Sequence, residues 1–296
     1  MELWITLATA SAFLWTLIVL LDKFVLDSEI ENPYLGAGLH CTFNSLTITV
    51  VALYFGEIHW SLDFAVAGTV IAGLYVAANY LWFSGVKKEE VSRFAPVLSV
   101  DVLFIALFSL IFLGQSFSLG VYAGMSLTVV GSILISLEDP LKNLSKVKSK
   151  WALGLAIGSA FLFAVREIFF KYFTGTIETW NLIFYFGLTG TILSSTLIFK
   201  ERKGLKNHLE GIELLAASGV LSGFALAVFY QAIAIGPVSL VSTITKTRFL
   251  LIFFGATLIT RLHPEIIHEP LEKRILIQKM IATIMIITGV TIATVL

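Results

Sequence analysis

Apolar residues in this chain come in long unbroken runs. Ten stretches, near 3–22, 33–55, 65–86, 91–113, 118–137, 151–172, 180–199, 212–235, 238–260 and 275–296, are punctuated by short polar or turn-forming segments. A spanning helix needs roughly 20 apolar residues, since about 30 Å of hydrocarbon is crossed at 1.5 Å per residue. The runs lack the period of two that barrel strands require. Punctuation falls at Asn32–Pro33, KKEE (87–90), LGQS (113–116), EDP (138–140), KERK (200–203), GP (236–237) and HPE (263–265). The opening run MELWITLATASAFLW has no basic n-region and no small-residue cleavage site, so it reads as a retained first span. The pattern predicts an all-α integral membrane protein with ten transmembrane helices.

The runs repeat. Leu7, Ala8, Ser11, Ala12, Phe13, Leu14 and Lys23 align with Leu155, Ala156, Ser159, Ala160, Phe161, Leu162 and Lys171, and Tyr80, Val91 and Ser92 align with Tyr230, Val241 and Ser242 after a shift of two residues. The organisation expected is a first five-helix repeat at 1–140, a cytoplasmic linker at 141–150 and a second five-helix repeat at 151–296. Five is odd, so the second repeat enters the membrane upside down.

Charge agrees with that inversion. The loops after odd-numbered spans hold Lys23, Lys87, Lys88, Arg93, Lys142, Lys146, Lys148, Lys150, Lys200, Arg202, Lys203, Lys206, Arg261, Lys273, Arg274 and Lys279; the even loops hold Lys171. By the positive-inside rule the odd loops are cytoplasmic and both termini lie outside a cell (plasma) membrane. Composition confirms the solvent: 57% of residues are hydrophobic and 14% charged, with a mean hydropathy of +0.91. Net charge is zero and the cations are dispersed, which excludes nucleic acid as a partner. The one cysteine, Cys41, excludes a disulfide within the chain.

The stretch FAPVLSVDVLFIALFSLIFLGQSFSLGVYAGMSLTVVGSIL (94–134), with Pro96 inside the fourth span, the Leu113–Gly114 turn and the glycines Gly124, Gly131 and Gly289, resembles the EamA group of the drug/metabolite transporter (DMT) superfamily. Gln115 stands where that family commonly has glutamate, the second half carries a longer HPEIIHEPLEK loop, and relatives more often place both termini in the cytoplasm. The resemblance implies a secondary transporter that moves a small metabolite through a central cavity lined by both halves. The other reading held open is a non-catalytic membrane receptor or channel-like protein.

Inside the spans stand five charges: Asp101, Arg166, Glu167, Lys246 and Arg248. Such residues are costly in hydrocarbon and usually face a wet cavity or a partner. Two ion pairs leave one cation over, which suits an anionic or zwitterionic substrate such as an amino acid or organic anion. Lys246 and Arg248 are two residues apart, about 200° around a helix, so one cavity cannot receive both. Lys246, on a face with Ser239, Ser242 and Thr243, is expected to be the free cation. Arg248 is expected to pair with an acid, Asp101 among them, and Glu167 to pair with Lys171 four residues on. Arg166 and Arg248 join Lys246 in the expected substrate-binding set. Asp101 and Glu167 are proton-coupling candidates, because a carboxyl in low dielectric can load and release a proton.

Asn79, Tyr80, Tyr230 and Gln231 complete the expected substrate-binding lining, with Tyr80 and Tyr230 at repeat-related positions. His40, Thr42 and Asn44 read as interhelical hydrogen-bonding groups. The glycines of the fifth and tenth spans serve either packing within the chain or a homodimer face. No catalytic residue, metal or cofactor is expected: HPEIIHE (263–269) lacks the HExxH spacing of a helical zinc site, and no phosphate-cradling glycine loop appears. The partners expected are a small-molecule substrate and the lipid bilayer.

Overall fold

The computed structural model describes residues 2–26, 32–86, 95–136, 150–200, 209–262 and 273–295. Helices α1 (Leu3–Leu26), α2 (Pro33–Phe55) and α3 (Leu62–Val86) coincide with the first three predicted spans. A 3-10 helix (Ala95–Val100) then runs into α4 (Asp101–Leu113), followed by α5 (Leu119–Ser136), α6 (Lys150–Phe173), α7 (Thr179–Lys200) and α8 (Leu209–Ile235). The ninth predicted span is split into α9 (Val238–Thr245) and α10 (Arg248–Leu262), and α11 (Lys273–Val295) is the tenth. Among the described residues every element is helical, and seven helical stretches, Val238–Gly255 across the α9–α10 break among them, are long and apolar enough to cross a membrane. Leu3–Val19 within α1, Val97–Leu113 and Leu119–Ile135 are shorter apolar stretches. The chain is an α-helical, multi-pass membrane protein.

Local chemistry sets the boundaries. Asn32 accepts the Tyr34 amide at 2.9 Å and Pro33 occupies the first turn, where a missing N–H costs nothing. Pro96 fixes φ and removes a donor at the start of the fourth span, and the chain there is 3-10 rather than α. Gly114 ends α4 with φ +64°, and both its amide and that of Gln115 return to the Ser109 carbonyl. That left-handed cap disfavours a side chain, which explains the Leu-Gly turn.

Pairing of helices is the same when the first five spans are exchanged with the last five. α2 packs on α7 and α5 on α11; α1 lies on α8 as α3 lies on α6; α2 meets α8 as α3 meets α7. Ala8, Ser11 and Ala12 of α1 and their counterparts Ala156, Ser159 and Ala160 of α6 are all fully buried. Thr42 bonds Ser194 at 2.8 Å and the Asn44 amide donates to Ser222 at 2.9 Å, the interhelical role expected of α2. Cys41 is a buried free thiol.

Small residues of α5 and α11 are used within the chain. A Cβ on Gly289 would lie 2.6 Å from the Gly124 carbonyl oxygen, and one on Gly124 would lie 2.7 Å from the Gly289 carbonyl. Gly124 and Gly289 thus build the α5–α11 seam and are not open for a second subunit. Gly289→Val is expected to cost on the order of 1–3 kcal/mol or more by overpacking, read as a lowered melting temperature of purified protein. A wild-type melting curve would show that this seam yields.

The loop cations Lys87, Lys88, Arg93, Lys142, Lys146, Lys148, Arg202, Lys203 and Lys206, most of the 141–150 linker and the HPEIIHE segment lie outside the described residues.

Candidate functional site

Span nine breaks for a chemical reason. Hydroxyls at 243, 245 and 247 turn back on their own helix: Thr243 to the Ser239 carbonyl (2.7 Å), Thr245 to Ser242 (2.7 Å) and Thr247 to Ile244 (2.8 Å). Such back-bonding bends helices. At Lys246 and Thr247 the backbone tightens to i→i−3 bonds, with Lys246 N donating to Thr243 O at 3.1 Å and Thr247 N to Ile244 O at 3.0 Å. The predicted continuous helix 238–260 is corrected accordingly.

What remains of α9 presents one polar stripe, at spacings that share a helix face. Ser239 bonds Ser109 of α4 at 2.7 Å, Ser242 donates to Glu167 Oε2 of α6 at 2.6 Å, and Lys246 Nζ donates to Asp101 Oδ2 of α4 at 2.7 Å. All six side chains are buried. Asp101 sits where the 3-10 segment becomes α-helix, in the first turn of α4, where the helix dipole favours an anion.

The ion pairing reverses the expected one. Lys246 is a paired cation, 3% exposed, bound to Asp101. Arg248 was expected to hold the acid; none of the described carboxylates pairs with it. The break separates the two: Lys246 stays with α9, while Arg248 opens α10 and leans on α1, its guanidinium 5.8 Å from the Trp15 ring centroid and 5.2 Å from that of Phe249. Glu167 does not pair with Lys171. It takes its neighbour Arg166 at 3.2 Å, and Lys171 instead donates to the Ile233 and Ala234 carbonyls at 2.9 and 3.0 Å, at the end of α8, where cations are favoured.

Arg166 keeps a buried donor, Nε, that no described residue accepts. It is 5% exposed, and its guanidinium faces Phe163 at 5.0 Å, Tyr75 at 5.6 Å and Tyr230 at 5.7 Å. Tyr230 is stacked on Phe170 with centroids 3.8 Å apart and planes 6° from parallel. Arg166 Nε, the Tyr230 hydroxyl and Asp101 Oδ1 are buried and have no hydrogen-bond partner among the described residues. Unmet buried polar atoms are costly, and these belong to one charged layer.

Tyr75, not Tyr80, is the α3 tyrosine of this layer. Tyr80, at the repeat-related position, packs on Tyr34 with ring centroids 4.7 Å apart. Asn79 is buried but donates to the Tyr75 carbonyl at 2.9 Å on its own helix. Gln231 has a buried Nε2 without a partner and is adjacent in sequence to Tyr230. Tyr75 and Asn79 are four residues apart and share a face; following that face one turn back from Asn79 would have reached Tyr75. Ser109 and Phe163 carry no signal separable from ordinary span residues.

Two recesses flank the layer without reaching its charges. One, about 520 Å³, lies between α4 and α6 behind Phe108, Phe112 and Phe161; the other, about 320 Å³, lies between α1 and α10 beside Thr247. Among the described residues no group of three or more His, Cys, Asp or Glu could hold a metal ion.

A family model, that of the EamA-like transporter family, matches residues 2–137. This family is part of the DMT superfamily. The EamA unit contributes Tyr75 and Asp101 to the layer, and Arg166, Glu167, Tyr230 and Lys246 come from the remainder. One protein of known crystal structure aligns over 98% of this chain and 96% of its own length, with a TM-score of 0.73 and 16% sequence identity. The likeness extends the fold over both halves. No curated protein matches the chain.

Proposed function

We propose that this DMT-type protein is a secondary transporter that carries a small metabolite with an anionic group, an amino acid or organic anion, by alternating access. The two inverted five-helix repeats, 1–140 and 151–296, rock around a site near the midplane. The two-fold pairing of helices supports that arrangement. The cation bias of the odd loops supports termini outside a plasma membrane.

One observation carries the substrate class: a buried guanidinium with an unpartnered Nε, held among three rings beside an unpartnered Tyr230 hydroxyl. An anionic group there accepts from both. Arg166 and Tyr230 receive it, and Asp101, with one oxygen unpartnered, is the acid that exchanges a proton. Lys246 joins the site when its pair with Asp101 opens. Arg248 stays on Trp15 as a packing cation.

Vesicles reconstituted with the purified protein and preloaded with unlabelled glutamate, succinate, phenylalanine or inorganic phosphate are expected to accumulate the matching labelled solute by saturable counterflow. Flux without trans-stimulation would make the protein channel-like, and absence of flux with all four would sink the anion reading.

A further inference from the structure

Glu167 is the more tightly held of the two buried acids. Its Oε1 takes Arg166 at 3.2 Å and its Oε2 takes the Ser242 hydroxyl at 2.6 Å. Asp101 has Lys246 on Oδ2 and nothing on Oδ1. The charged and titratable groups around Glu167 are Arg166 on its own helix, Asp101 of α4, Tyr230 of α8, Lys246 at the end of α9 and Arg248 of α10. Lys246 is one helical turn beyond Ser242, so the same face of α9 offers Glu167 either a hydroxyl or an ammonium.

Ser242 uses its proton unusually. A hydroxyl in an apolar helix ordinarily bonds a carbonyl three or four residues back, as Thr243 and Thr245 do in this same turn. Ser242 sends its single proton across to another helix. A serine hydroxyl donates once, and donation to a carboxylate is charge-assisted and about twice as strong as a neutral bond. With both oxygens satisfied, Glu167 has no need of a proton or of Lys246, and Lys246 is left to Asp101.

We infer that Ser242 is a positioning residue that keeps Glu167 an unprotonated, fixed counter-charge to Arg166, so that Asp101 is the one acid of the pair free to exchange its partner. The inference rests on reading the layer as a transport site, and it adds a division of labour. Glu167 orients Arg166 toward Tyr230; Asp101 cycles.

Dicyclohexylcarbodiimide tests this on purified protein without any substrate. The reagent takes up the proton of a protonated carboxyl in apolar surroundings as the carboxyl oxygen adds to its central carbon, and the adduct is located by peptide mass spectrometry. In the wild type Glu167 is expected to stay unmodified. In Ser242→Ala its labelling rises on the order of ten-fold, the factor that one charge-assisted hydrogen bond is worth. Ser242→Thr, which keeps the hydroxyl, restores the wild-type level. Labelling of Glu167 in the wild type overturns the inference even if Ser242→Ala does not fold, and so does a folded Ser242→Ala protein with unchanged labelling. The labelling is independent of counterflow: a protein that moves none of the tested solutes can still pass, and one that moves them can fail.

Discussion

Lys246→Gln lowers the stability of the purified protein by about 3–5 kcal/mol, and adding Asp101→Asn to the same chain restores most of it. The reason is burial. Lys246 and Asp101 are 3% and 7% exposed, their contact is 2.7 Å, and the second oxygen of Asp101 has no other partner. Removing the cation leaves a carboxylate in the interior that must take a proton or stay uncompensated, and either is costly. Neutralising both partners removes that penalty, since a buried pair contributes little net stability over uncharged groups of similar shape. A double-mutant cycle on melting temperature reads the coupling directly. Simply additive effects of the two substitutions would show that the pair is not formed in the membrane. Arg248→Gln serves as the control. Its cation leans on rings, a contribution of roughly 0.5–2 kcal/mol, so it should be the milder variant although it lies only two residues away.

Arg166→Lys reduces binding of whichever anion shows counterflow by roughly 10- to 100-fold while the protein stays folded. Lysine keeps the charge and so keeps a counter-ion for Glu167, which also retains the Ser242 hydroxyl. It loses the planar fork, which donates to Glu167 at 3.2 Å and whose carbon lies 5.7 Å from the Tyr230 ring centroid. A charge-assisted hydrogen bond contributes roughly 1.5–3 kcal/mol, and losing one from the bound anion gives that range of affinity. Titration of the wild-type and Arg166→Lys proteins with the same labelled anion, each checked for an unchanged melting temperature, makes the comparison. Equal affinity in the two proteins would remove Arg166 from the site and leave it as a packing cation among Phe163, Tyr75 and Tyr230.

Much of this was legible before any coordinates. Continuous apolar runs place the helices, because backbone groups in hydrocarbon have to be satisfied within the segment. Asn32–Pro33 and Leu113–Gly114 were readable as ends because their caps are local chemistry. Ala8, Ser11 and Ala12 and the aligned residues 156, 159 and 160 were readable as packing positions, and all six are buried. The five charges were readable as groups that need a partner inside the protein, since each is costly in a span.

Which charge meets which was not legible, and the error has a specific origin. Assigning Lys246 and Arg248 to opposite faces assumed an unbroken helix. That premise fails at Thr247, where hydroxyls bonding back to the chain tighten the turn. Likewise i,i+4 spacing made Lys171 the natural partner of Glu167. The end of α8, more than sixty residues away in sequence, offers Lys171 two bare carbonyls instead. Tyr80 fitted the repeat register, yet Tyr75 occupies the layer.

The sequence by itself determined the solvent, the class of fold, the helix ends and the inventory of buried charge, because each depends on composition or on chemistry within a few residues. Only the tertiary structure decided that Lys246 belongs to Asp101, that Ser242 belongs to Glu167, and that Arg166 Nε is left without a partner among the described residues. Those pairings join α4, α6 and α9, and the partners are separated by 75 to 145 positions. At such separations sequence spacing carries no orientation, and short-range hydrogen-bond and ion-pair geometry in a low dielectric chooses among the possible partners.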